Sequence, residues 1–236
     1  MGKEYIKHIG ATGGYLVAPS FEASFEEGWF DPDFWGDLAD PVSKGGRGAA
    51  WFIHAAAGDL LLRHFCRGGL PGRFLRRDYV YTRVSQVRSF VEFRLLRKLY
   101  SQGLPVPEPI AAGYQRHGSV FYHASILMRR IPNAIPLSDH AGFSDMGVWQ
   151  DAGACIRRFH DVGVYHADLN CMNILVSDQI YLIDFDRGRI ISGGKGSDWK
   201  KANINRLKRS VEKLLGHLDA SLREQLWESL LSGYRR

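Results

Sequence analysis

The chain has 236 residues, 45% of them hydrophobic and 24% charged, the make-up of an ordinary globular protein large enough to bury a core without covalent staples. Its three cysteines, Cys66, Cys155 and Cys171, are odd in number and form no Cys-x-x-Cys pair, which argues against a disulfide framework or zinc site and for a reducing compartment. The net charge of +6 is unevenly spread, with residues 1–62 at −5, 63–98 at +8, 99–186 at −4 and 187–236 at +7. Two basic blocks suit phosphates, nucleic acid or an anionic membrane, and composition does not choose among them. No stretch approaches the roughly 18 apolar residues of a membrane span. Lys3 and Lys7 lead into no apolar segment of the signal-peptide kind, so a cytosolic protein is the expectation.

Residues 1–44 are acidic and aromatic, broken by Pro19, Pro32 and Pro41, and read as an irregular arm with short elements. Gly45-Gly46-Arg47-Gly48 leads into the apolar stretch Ala50 to Ala57, and Gly58-Asp59 then reads as a hairpin turn into a strand over Leu60–Phe65. Residues 85–100 have helical spacing, with Val91, Leu95, Leu96 and Leu99 on one face and Gly103 as the stop. Leu104 to Pro109, with a proline at every second position, is an extended linker. Two strands are expected around His117-Gly118, the second from Val120 to Met128.

Beyond Arg130 the pattern turns helical. Asp145 to Val162 puts Val148, Trp149, Ala152, Ile156 and Phe159 on one face, with Ser144 as the N-cap. Ile174–Val176 and Tyr181–Ile183 read as short buried strands around a turn at Asp178, and residues 197–215 and 219–234 as two amphipathic helices. The expected fold class is α+β in two lobes. Residues 1–130 would form the arm and a small strand-rich lobe, and residues 131–236 a short helical lobe.

The chemistry concentrates in His166-Ala167-Asp168-Leu169-Asn170-Cys171-Met172-Asn173-Ile174-Leu175-Val176, followed by Leu182-Ile183-Asp184-Phe185-Asp186. Singly, Asp and Asn are ordinary loop residues; in this order, with apolar strands between them, they make a metal–phosphate arrangement. An Asn and an Asp at the two ends of a hairpin suit magnesium, which prefers hard oxygen ligands and keeps waters. Asp168 is not needed by the metal and is placed to accept a proton from an attacking hydroxyl. His166 is expected to brace the loop by hydrogen bonding, and Cys171 to be filler, since no base is patterned to activate it.

His-x-Asp-x-x-x-x-Asn with a later Asp-Phe-x resembles the catalytic and metal-binding signature of the protein-kinase-like fold. The resemblance implies ATP and Mg2+, with Asp168 catalytic and Asn173 and Asp184 as metal ligands. It also calls for a cation on a strand, held by a Glu on the next helix. Arg63 and Glu92 are the candidates, with Arg67 a second choice for the cation and a surface pairing of Glu92 with Arg88 or Lys98 as the competing reading. Arg keeps the charge of the usual Lys but is bulkier and binds as a fork. Gly46 and Gly48 fall where a phosphate-covering glycine loop belongs, although Trp51 occupies the third glycine position.

Asp186 stands where protein kinases have Gly, and the 50 residues after it contain no Ala-Pro-Glu, so an acceptor other than a protein is expected. The chain is similar to the Kdo kinases of the lipopolysaccharide core kinase family. The similarity rests on Trp29-Phe30-Asp31-Pro32 with Trp35, Gly46-Arg47-Gly48 with Trp51, Leu62-Arg63-His64-Phe65-Cys66-Arg67-Gly68-Gly69-Leu70 and Glu92-Phe93-x-Leu95-Leu96. It continues through Gly103-Leu104-Pro105-Val106-Pro107, the catalytic loop, Ile183-Asp184-Phe185-Asp186 and the stretch from Trp199-Lys200 to Arg209-Ser210. It implies transfer of phosphate to the 4-hydroxyl of 3-deoxy-D-manno-octulosonic acid (Kdo) on a Kdo–lipid A precursor, at the cytoplasmic face of the bacterial inner membrane.

Partners then expected are that glycolipid and an anionic membrane surface, with neither nucleic acid nor an obligate protein partner. Arg67, Arg73, Arg76 and Arg77 around Phe74 and Leu75 would form a membrane-surface patch. Arg187, Arg189, Lys195, Lys200 and Lys201 are candidates for holding anionic groups of the acceptor. Competing readings are an aminoglycoside-type kinase, which the basic tail disfavours, an atypical protein kinase, and a nucleotide-binding scaffold without catalysis, which the joint presence of Asp168, Asn173 and Asp184 disfavours.

Overall fold

The computed structural model describes residues 4–42, 49–56, 58–66, 77–140, 145–191 and 198–236. Gly46, Gly48, Arg67, Arg73, Phe74, Leu75, Arg76, Ser144 and Lys195 lie outside the described residues. The chain divides into two compact units, Met1–Lys98 with Glu108–Arg130, and Leu99–Pro107 with Ile131–Arg236. The extended prolyl segment therefore groups with the second unit, where Leu182 N donates to Pro105 O at 3.0 Å.

The first unit contains β1 (Ile6–Ile9), β2 (Gly13–Val17), a short α1 (Pro32–Trp35), β3 (Ala39–Pro41), β4 (Ala50–Ala55), β5 (Gly58–His64) and β6 (Tyr79–Val80). Most of α2 (Arg88–Ser101) follows, and then β7 (Pro109–His117) and β8 (Phe121–Arg129). The strands form one antiparallel sheet in the order β1-β2-β7-β8-β5-β4-β3, with β6 added against β8. The amino-terminal arm is thus not irregular at its ends: β1 and β2 extend the sheet through Val17↔Ala111, and β3 closes the opposite edge on β4.

Alternation along β5 sends Leu60, Leu62 and His64 to one face of the sheet and Leu61 and Arg63 to the other. On the first face Val17, Ile53, Leu60, Leu62, Ala111 and Leu127 form a core that the arm covers with Phe21 and Trp29. Trp35 locks this cover by donating its indole N–H to Trp29 O at 3.1 Å. On the other face lies α2, with Phe90 edge-on to Tyr114 and Ser89 Oγ donating to Gly113 O at 2.8 Å. The buried face of α2 is Phe90, Phe93, Leu96 and Leu99, whereas Val91, expected on it, is 39% exposed. Spacing alone admits either stripe, and the aromatic pair with Tyr114 decides between them.

The second unit holds β9 (Ile135–Pro136), α3 (Met146–Asp161), β10 (Val164–Tyr165), β11 (Ile174–Val176), β12 (Ile180–Leu182), β13 (Arg189–Ile190), α4 (Asp198–Leu214) and α5 (Ala220–Arg235). Asp145 caps α3, its carboxylate accepting from Gly147 N at 3.0 Å, in place of the expected Ser144. Trp149, Ala152, Ile156 and Phe159 are buried along α3. α3 and α5 meet through small residues: a Cβ at Gly153 would collide with Leu230 O, and one at Gly233 with Gln150 O. Among the described residues no helix is long and apolar enough to cross a membrane.

Candidate active site

The loop that follows β10 is held at several points. Asn170 caps a 3-10 turn over Cys171–Asn173, its Oδ1 accepting from Met172 N at 2.8 Å. The amides of Asn170 and Asn173 both donate to Asp168 O, at 3.0 and 2.9 Å. The Asp168 backbone is therefore fixed while its side chain stays 59% exposed.

His166 is the brace. Its Nε2 lies 2.9 Å from Ile183 O, which requires N–H there, and its Nδ1 accepts Asp168 N–H at 3.2 Å. Burial pushes its pKa down, so the ring is neutral in the tautomer these two bonds demand. Phe185 packs beside His166, with ring centroids 4.8 Å apart, and stacks on Phe159 of α3. The segment carrying Asp184 is thus anchored from both sides of that residue.

Ile183 N donates to Asn173 O at 3.1 Å, which sets Asn173 beside the residue preceding Asp184. Asp184 itself has φ of 61°, a left-handed conformation that Asp tolerates better than most residues. Because the amide nitrogen of Asn173 is committed to Asp168 O, its Oδ1 is left without a partner among the described residues. One amide oxygen and one carboxylate, on adjoining stretches of backbone, are hard donors of the kind magnesium takes, and two such ligands leave room for phosphate oxygens and water. Two of the three cysteines are bystanders: burial pushes Cys155 up to about 12 and Cys171 up to about 11, so both stay protonated.

α4 runs along this loop. Asn203, Arg206 and Ser210 are spaced three and four apart and so share one helix face. Asn203 Oδ1 accepts His166 N–H at 3.1 Å and its amide donates to His166 O at 2.8 Å. Ser210 Oγ accepts Cys171 N–H at 3.1 Å, and Arg206 Nη1 reaches Asp168 Oδ1 at 3.3 Å. All three lie in the Trp199–Ser210 stretch that carries the family resemblance, but sequence reasoning gave none of them a role, because helical spacing does not show which loop that face meets. Of the tail residues it did name, Lys200 lies 3.9 Å from Asp161, and Arg189 stands over the Tyr165 ring.

In the first unit, Arg63 Nη2 is 2.5 Å from Glu92 Oε2, joining β5 to α2. The side chains are 21% and 1% exposed, so Glu92 is a buried residue and not part of a solvated helix surface. Arg67, the other candidate cation, and Gly46 and Gly48 lie outside the described residues. Asp31, Trp51 and His64, from three of the stretches that carry the family resemblance, meet elsewhere in this unit. They line a cavity of about 820 Å³, together with Tyr15, Arg77 and His123. His64 Nδ1 lies 2.7 Å from Ser125 Oγ.

Solved structures share this architecture. WaaP in complex with acyl carrier protein aligns with a TM-score of 0.57 at 12% identity, over 94% of this chain and 89% of that one. The Rio2 kinase–ADP/Mg2+–phosphoaspartate complex from Chaetomium thermophilum aligns with a TM-score of 0.52 at 19% identity, over 84% of this chain and 65% of that one. The fold is of the two-lobed protein-kinase-like class, and the kinase family and kinase relatives that the chain matches make it an ATP-dependent phosphotransferase.

The chain belongs to the lipopolysaccharide kinase (Kdo/WaaP) family, whose model matches residues 32–234. It is 45% identical over 195 residues to a 3-deoxy-D-manno-octulosonic acid kinase of Xanthomonas campestris pv. campestris, covering 81% of this chain and 77% of the relative. It is 46% identical over 194 residues to one of Stenotrophomonas maltophilia, with the same two coverages.

Proposed function

We propose that the protein transfers the γ-phosphate of ATP to the 4-hydroxyl of a Kdo residue on a Kdo–lipid A precursor. The observation that carries this reading is the exposed Asp168 carboxylate on a loop braced by His166, with Asn173 and Asp184 adjoining. That arrangement occurs in a chain 45% identical to a protein named for Kdo phosphorylation. Asp168 orients the acceptor hydroxyl and takes its proton as the oxygen bonds to phosphorus and the bond to ADP breaks. Asn173 and Asp184 would hold Mg2+, which would supply positive charge to offset that of the phosphate oxygens. Arg63, kept in place by Glu92, meets the triphosphate.

The acyl chains of such an acceptor lie in a bilayer, which supports the reading that the protein works peripherally at the cytoplasmic face of the inner membrane. Lys201, Arg209 and Lys213, all exposed on α4, supply positive charge for an anionic lipid surface. The deciding experiment gives the protein labelled ATP and, in parallel, a Kdo–lipid A precursor, free Kdo and an aminoglycoside. Label should appear on the Kdo glycolipid, mapped to the 4-position by NMR, and disappear with Asp168→Ala. Label on the aminoglycoside instead would overturn the assignment.

A further inference from the structure

The stripe on α4 treats its three targets differently. Asn203 and Ser210 spend their hydrogen bonds on the backbone of the loop, at His166 and Cys171. Of the three, Arg206 alone reaches a side chain of the loop, and that side chain is the Asp168 carboxylate. The contact is made in the open, with side-chain exposures of 44% for Arg206 and 59% for Asp168. A pair this exposed contributes at most about 1 kcal/mol to stability, so holding the fold does not account for an arginine there.

Arg206 is nevertheless well placed. Its neighbours Leu207 and Val211 are buried, and Asn203, one turn before it, is clamped to the loop. Only Nη1 is engaged; the remaining guanidinium nitrogens have no partner among the described residues. A guanidinium fork with free donors matches a carboxylate two bonds at a time. Its side of Asp168 matters as well. The metal-ligand candidate Asn173 approaches Asp168 at the main-chain oxygen, whereas Arg206 approaches at the carboxylate, where the acceptor hydroxyl has to sit.

We propose that Arg206 is an acceptor-binding residue: it forms an anion subsite that takes the carboxylate of an acidic sugar beside the hydroxyl to be phosphorylated. This rests on the reading of Asp168 as the base. In the free protein Arg206 is paired with Asp168, so one carboxylate oxygen is engaged where the acceptor hydroxyl would bind. An incoming sugar carboxylate draws the guanidinium onto itself and releases Asp168 to face the hydroxyl. The hydroxyl proton then passes to Asp168, the hydroxyl oxygen bonds to the γ-phosphorus, and the bond from that phosphorus to the bridging oxygen of ADP breaks. Selection for acidic sugars follows, because a neutral acceptor leaves the ion pair closed.

The test crosses the residue with the substrate. Wild type, Arg206→Ala and Arg206→Lys are assayed on a Kdo–lipid A precursor and on the same acceptor with its Kdo carboxylate converted to the methyl ester. Melting curves confirm that each variant is folded. Wild type should prefer the free acid by roughly 10- to 100-fold in kcat/KM, the worth of a charged hydrogen-bonded contact. Arg206→Ala should lose that preference, by falling on the acid and rising on the ester, since no ion pair then holds Asp168, with KM for ATP unmoved. Arg206→Lys should keep an intermediate preference. Equal losses on both acceptors, a raised KM for ATP, or no loss at all would each overturn the subsite. A wild type inactive on both would overturn the Kdo reading itself, and the subsite with it.

Discussion

Asn203 clamps both main-chain polar groups of His166, accepting its N–H at 3.1 Å and donating to its carbonyl at 2.8 Å. Its Oδ1 also lies 3.4 Å from His160 Nε2, and His160 Nδ1 lies 2.7 Å from Tyr234 OH. One buried amide thus ties α3, α4 and, through His160, α5 to the residue that opens the catalytic loop. Replacing it leaves two buried main-chain groups unsatisfied, at about 1–3 kcal/mol each. Asn203→Ala should lower the urea unfolding free energy by several kcal/mol and reduce kcat. Asn203→Asp should be only partly tolerated, because a carboxylate accepts the N–H but cannot donate to the carbonyl.

The Arg63–Glu92 pair separates stability from activity. Glu92 is 1% exposed, so Arg63→Met takes an opposite charge away from a buried carboxylate and should cost up to about 3–5 kcal/mol in chemical denaturation. Adding Glu92→Leu removes that carboxylate as well and should recover most of the loss. Turnover should stay low in the double variant, since neither apolar side chain meets a triphosphate. Recovery of activity along with stability would mean that the pair is purely structural.

Asp184 sits at φ of 61°, where Asn is at least as comfortable as Asp. Asp184→Asn should therefore melt within a degree or two of wild type while losing its carboxylate donor. Activity is expected to drop by about 10²-fold or more, the scale of losing a preorganised charge-stabilising group. Magnesium titrations of the residual rate should saturate at higher concentration than in wild type.

Acid should weaken the fold through histidines. Burial lowers His64 and His160 from 6.5 to about 4, with Arg77 adding to the effect at His64. Between those values the unfolded chain binds protons that the folded one refuses, so stability is fully present above pH 6.5 and falls as the pH drops toward 4. Each histidine can withdraw on the order of 3 kcal/mol across that window. Denaturation curves at pH 7.5, 5.5 and 4.5 should show the decline, and His64→Gln and His160→Gln should each flatten it.

Much of this was readable from local sequence. The loop from His166 to Asn173 and the Asp184 segment announce themselves by residue type and order, because the chemistry needs those groups at those spacings. The hairpins and the helices α2 to α5 follow from periodicity and turn residues, within a few residues at their ends. Val91 and Ser144 mark where such reasoning stops: a stripe can be read off by a residue, and a cap can belong to its neighbour.

What the sequence by itself determined was the order of the chemical groups and the class of reaction they suit, since both reside in short stretches of chain. Tertiary structure alone decided that the amino-terminal arm enters the sheet at both edges, with Val17 paired to Ala111, 94 positions away. It also decided that Arg206 stands at the carboxylate of Asp168, 38 residues distant, with Asn203 and Ser210 gripping the loop on either side. The physical reason is that periodicity specifies which residues share a helix face, whereas packing against the rest of the fold specifies what that face meets.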